Sequence, residues 1–116
     1  MKKKVFEISL KPYPGSCHFL VCGKKKAQKI IDEMFNGALK IPENFEAGTF
    51  EDSDRLVYAV WLSSPFVKNG KLAHEVEHLT SSVLNNVGIK RLAGSEEAFA
   101  YMNQWITEQF HNHIKK

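Results

Sequence analysis

His74, Glu75 and His78 stand in the order H-E-x-x-H. Two histidines four residues apart on a helix lie about 40° apart around its axis, one turn above the other. Their imidazoles can therefore reach one zinc ion, and Glu75 is placed to take a proton from a water which that ion polarises. On a helical wheel Leu72, Val76, Leu79, Val83 and Val87 share one face, widened by Ala73 and Leu84. Both histidines fall on the opposite side with Ser81, Ser82 and Asn85. The expected helix occupies residues 70–88, with Asn69 as a candidate N-cap and Gly88 as a candidate C′ residue.

A catalytic zinc site takes three protein ligands and keeps one position open for water. No third histidine follows His78 before the polar end of the chain, where His111 and His113 lie, and no aspartate follows Asp54. Glu108 sits late in the last expected helix, so the candidates narrow to Glu96 and Glu97 at its start. Glu97 is preferred over Glu96, because Tyr101 and Gln104 follow it at i+4 and i+7 and form a polar stripe. Tyr101 is then a candidate donor to the polarised water or to a developing oxyanion. Acids in a first turn also need no metal to explain them, since they complement the helix dipole.

The elements that must position these residues can be read in order. Residues 5–10 alternate apolar and polar and form a strand; prolines 12 and 14 with Gly15 end it. Residues 16–22 are a second strand carrying His18, read as a core histidine rather than a ligand. A helix is expected over 24–35, with Ala27, Ile30, Ile31, Met34 and Phe35 on its inner side, stopped by Asn36 and Gly37. Residues 39–48 are a loop whose Ile41 and Phe45 should tuck against the body. Thr49, Phe50 and residues 56–62 flank the acidic segment 51–55 as a hairpin, with Asp52 and Asp54 serving the turn rather than a metal. The run 56–62 is the most apolar and is expected as a central or substrate-side strand. Ser95 should cap a last helix from Glu96 to about Phe110, buried through Phe99, Met102, Trp105, Ile106 and Phe110, with a flexible tail from about residue 111.

A chain of 116 residues with 43% hydrophobic residues is a single domain, 1–116, able to bury a core without staples. The net charge of +3 and two short lysine clusters are too little to argue for nucleic acid. The segment after Lys2 to Lys4 lacks the apolar run of a signal peptide, and no stretch is apolar enough to cross a membrane; a soluble, cytoplasmic protein is expected. Cys17 and Cys22 are expected as reduced thiols, with no second cysteine pair to build a zinc site.

LAHEVEH followed by GSEEAFAYMNQWITEQF resembles the gluzincin branch of zinc metallopeptidases, in which a glutamate on a second helix completes H-E-x-x-H. More narrowly it looks like the short zincin-like proteins encoded by phages and prophages, over about residues 49–110. The resemblance implies a minimal zincin-like α+β fold, a small mixed or antiparallel sheet packed against three helices including the H-E-x-x-H helix. It implies zinc at His74, His78 and Glu97, Glu75 as general base, and a peptide or protein substrate lying along the strand 56–62 by β-augmentation. A chain this short lacks the second lobe of larger relatives, so a narrow substrate is expected. The competing expectation is a catalytically inactive zincin-fold binding module.

Overall fold

The computed structural model describes residues 4–64 and 70–115. The two short alternating runs form β1 (Lys4–Ser9) and β2 (Ser16–Val21), and α1 (Lys24–Met34) follows. Then come β3 (Ala47–Asp52), β4 (Val57–Leu62), α2 (Lys71–Asn86), a single 3-10 turn over Ala93–Ser95, and α3 (Glu96–Ile114). Among the described residues the architecture is α+β, with one four-stranded sheet and three helices. Strand order is β1-β2-β4-β3. The sheet is mixed: β1 runs antiparallel to β2, β2 parallel to β4, and β3 antiparallel to β4.

Alternation along the central strands sorts side chains onto two faces. Cys17, Phe19 and Val21 of β2 and Tyr58, Val60 and Leu62 of β4 turn toward α2 and α3, where they meet Val76, Leu79, Val83, Leu84, Phe99, Met102, Ile106 and Phe110. Leu20, Ala59 and Trp61 turn the other way, against Ala27, Ile31 and Phe35 of α1. Trp61 is buried here, and its indole N–H donates to the Cys22 carbonyl at 2.9 Å. Each fully buried aliphatic or aromatic side chain contributes about 1.5–3 kcal/mol of transfer free energy. The helices therefore stay on the sheet through packing, not propensity.

The elements stand close to their expected bounds, with four differences. β3 begins at Ala47, two residues before the expected hairpin strand. Ile41 is buried as expected, whereas Phe45 is 52% exposed and does not tuck in. Ala73, placed by the wheel beside the apolar face of α2, is exposed, and buried Glu75 and Thr80 widen that face instead. α3 runs to Ile114, past its expected end: the His113 ring stacks on Phe6 with centroids 4.6 Å apart, and Lys4 Nζ donates to the His113 carbonyl at 2.6 Å. The Asn69 N-cap and the segment 65–69 lie outside the described residues; Gly70, at φ 94°, occupies the cap position of α2.

Candidate functional site

α2 presents three sides to three environments. Thr49 Oγ1 of β3 donates to Glu75 Oε1 at 2.6 Å, and Asn86 Nδ2 donates to Glu51 Oε2 at 3.0 Å, so this flank lies against β3. On the other flank Asn103 Nδ2 of α3 donates to Glu77 Oε2 at 2.8 Å. Arg91 closes that side, 2.5 Å from Glu77 Oε1 and with its guanidinium 4.2 Å from the centroid of the Phe99 ring. His74 and His78 lie between the two flanks and face solvent. The C-terminus of α2 is fixed by Gly88 at φ 87°: its N–H donates to the Asn85 carbonyl and that of Ile89 to the Leu84 carbonyl. This is the Schellman pairing, which gives Gly88 the expected C′ role.

The histidine Nε2 atoms are 3.0 Å apart, and the rings meet edge to face with centroids 4.5 Å apart. Two nitrogens bound to one tetrahedral zinc at about 2.0–2.1 Å each would stand about 3.3 Å apart. The separation and donor type thus fit two positions of a zinc shell. Glu75, next to His74, is 7% exposed, and Thr49 supplies its carboxylate with a hydrogen bond. A buried carboxylate without a donor would be costly, which makes Thr49 part of the site. No sequence signal joined Thr49 to Glu75, because their contact spans 26 residues.

Glu97 and Tyr101 stand elsewhere. With Gln104 and Glu108 they form the exposed side of α3, opposite buried Phe99, Met102, Ile106 and Phe110, and Tyr101 is 67% exposed. Glu96, the alternative ligand, lies 3.9 Å from the Arg91 guanidinium. Among the described residues no group of three His, Cys, Asp or Glu side chains is placed to hold a metal ion. Of the three expected ligands, the fold brings His74 and His78 together and leaves Glu97 apart from them. His18 lies on the sheet, half-buried and 3.7 Å from Glu7, with no role at this site. Asp52 Oδ1 accepts the N–H groups of Asp54 and Arg55, which is turn chemistry as expected.

An open groove runs between β3, the histidine side of α2 and the loop before β3, lined by Thr49, Phe50, Glu51, His74, Glu75 and His78 among others. β3 is the sheet edge here, whereas β4 is paired on both sides. Residues 56–62 are thus central, one of the two placements expected for them, and with both sides paired they have no backbone edge on which a substrate could lie. Ser63 N–H donates to the Glu46 carbonyl at 2.9 Å, so by antiparallel alternation residues 48, 50 and 52 turn their peptide groups toward β4. Ala47, Thr49 and Glu51 turn theirs outward, along the groove.

No protein-family model matches the chain, and no curated protein or solved structure matches it. Among the described residues no helix is long and apolar enough to cross a membrane.

Proposed function

We propose that the chain is a zinc-dependent hydrolase of the zincin type, acting on a narrow class of peptide or protein substrates. The observation that carries this reading is the placement of three residues. Two imidazole nitrogens converge at 3.0 Å on the open side of a helix, with a buried, hydrogen-bonded glutamate beside them. His74 and His78 would hold the ion; Glu97, the third ligand that its polar stripe and the resemblance both point to, is not brought beside them, so among the described residues these two are the protein donors in place. Bound zinc supplies Lewis acidity, bringing the pKa of water in its shell to about 7.

The chain's own residues do the rest. Glu75 accepts a proton from the attacking water and returns it to the leaving amine. Thr49 holds the carboxylate in place for both transfers. The outward peptide groups of Thr49 and Glu51 pair with an extended substrate and hold its carbonyl beside the histidines. Glu75→Gln keeps the shape of the side chain and removes the base. It should retain zinc and lose hydrolysis of a peptide library by at least about 100-fold. Full activity in that variant contradicts the mechanism.

A second reading is favoured by the position of Glu97 and Tyr101 on the solvent side of α3. A shell with only two protein donors suits a binding module that keeps the zincin shape and grips an extended segment along β3 without turnover. Unchanged partner binding by Glu75→Gln, with no hydrolysis by the parent chain, decides for it.

A further inference from the structure

Phe45 is one of four large apolar side chains left exposed among the described residues, and it alone stands at the candidate site. The loop that carries it is fastened on both sides. The Gln28 side chain donates to the Leu39 carbonyl at 3.1 Å and accepts the Ile41 N–H at 2.8 Å, and Lys24 Nζ donates to the Glu43 carbonyl. Phe45 N–H donates to the Pro42 carbonyl at 3.1 Å, and Glu46 pairs with Lys71 at 3.0 Å. A loop held so closely could bury its aromatic ring; this one holds it outward.

Two depressions meet at this ring. One contains Pro42, Phe45 and Phe50 with His74, Glu75 and His78. The other contains Phe45 with Asn44, Glu46 and Lys71, and again His74 and Glu75. Phe45, His74 and Glu75 are common to both, so the ring divides the groove at the point where the candidate chemistry lies. Two aromatic rings and a proline form part of the wall of the first compartment, which Lys40, Glu51 and Ser82 also line.

We infer that Phe45 selects the bound segment: an extended peptide with a bulky apolar or aromatic side chain packed against Phe45, Pro42 and Phe50. The occupant is an extended peptide because the outward peptide groups of Thr49 and Glu51 run beside the aromatic compartment and offer it a strand partner. Aromatic packing against a bound side chain supplies discrimination that the backbone contacts cannot. The inference rests on the proposed reading that a peptide lies along β3, but not on its being cut.

The test uses two fluorescein-labelled decapeptide pools, identical except for Phe or Ser at the central position, titrated against the zinc-treated Glu75→Gln protein so that nothing is cleaved. The Phe pool should bind about tenfold more tightly than the Ser pool. Phe45→Ala should remove the difference, and Phe45→Trp should keep most of it, which separates the ring from any loss of loop structure. Equal binding of the pools, no binding of either, or a preference that survives Phe45→Ala overturns the inference. Hydrolysis by the parent chain is scored separately on the same pools. Preference without hydrolysis overturns the hydrolase reading alone, and equal hydrolysis of both pools overturns the selection alone.

Discussion

Glu75 is the residue whose environment says most about the site. A helix position beside two exposed histidines would ordinarily be solvated, yet its carboxylate is buried against β3 and takes a hydrogen bond from Thr49. Thr49→Val keeps the shape and removes the donor, leaving a buried carboxylate one partner short at a cost of about 1–3 kcal/mol. The expected result is a lower Tm together with about tenfold slower peptide hydrolysis at unchanged zinc content, read by elemental analysis and a fluorogenic assay. The histidine pair was legible in the sequence because i,i+4 geometry is local. Thr49 was not, since nothing in a linear pattern brings residue 49 to residue 75. The preference for Glu97 rested on a stripe of polar residues, and a stripe identifies a face of α3 without saying what that face meets.

Helix and strand ends followed local chemistry, so most elements were legible to within a residue or two. Gly88 and the Asn36-Gly37 pair, all at positive φ, end α2 and α1 where their sequence places them. Gly88→Ala forces an L side chain into that region and should cost about 1 kcal/mol, lowering Tm by about 4 °C while the site is untouched. An unchanged Tm would mean that the Schellman turn relaxes. The β3–β4 turn makes a different prediction. The Arg55 side chain, 2.6 Å from Asp52 Oδ2, holds the Asp52 carboxyl below its usual 3.8. A depressed carboxylate pKa stabilises the fold above the unfolded value and loses that contribution as pH falls through the folded value. Asp52→Asn keeps the turn acceptor without the charge. Its Tm should therefore lie slightly below that of the parent at pH 7 and converge with it as pH falls through the folded value. A gap that persists in acid would assign the effect to packing. The loop 38–46 was the element least open to sequence reasoning: Ile41 and Phe45 are both apolar, and only the Gln28 clamp, formed across 11 and 13 residues, decides which is buried.

The whole molecule is a sheet with a core on each face, and this was the least legible level. Sequence periodicity identified four strands and three helices but not that β2 and β4 pair in parallel, which makes β4 central and leaves β3 as the edge beside the histidines. One consequence can be checked on the two cysteines. Cys17 belongs to the α2–α3 side and Cys22 to the α1 side, both fully buried, and burial pushes the Cys17 thiol well above its usual range. The native protein should show no thiol reactive toward a disulfide reagent at pH 8, and two after unfolding. A rapidly reacting native thiol would contradict the sheet order.

Whether the exposed histidines of α2 hold a metal is read from the zinc content per chain. Protein purified without chelators or a histidine tag should carry about one zinc per chain. Glu75→Gln should keep that zinc, and the His74→Ala, His78→Ala double variant should lose it; Glu97→Ala measured alongside assigns the third ligand. A parent chain that neither carries zinc nor takes it up, or a double variant that keeps it, would mean that the histidines are not a zinc site.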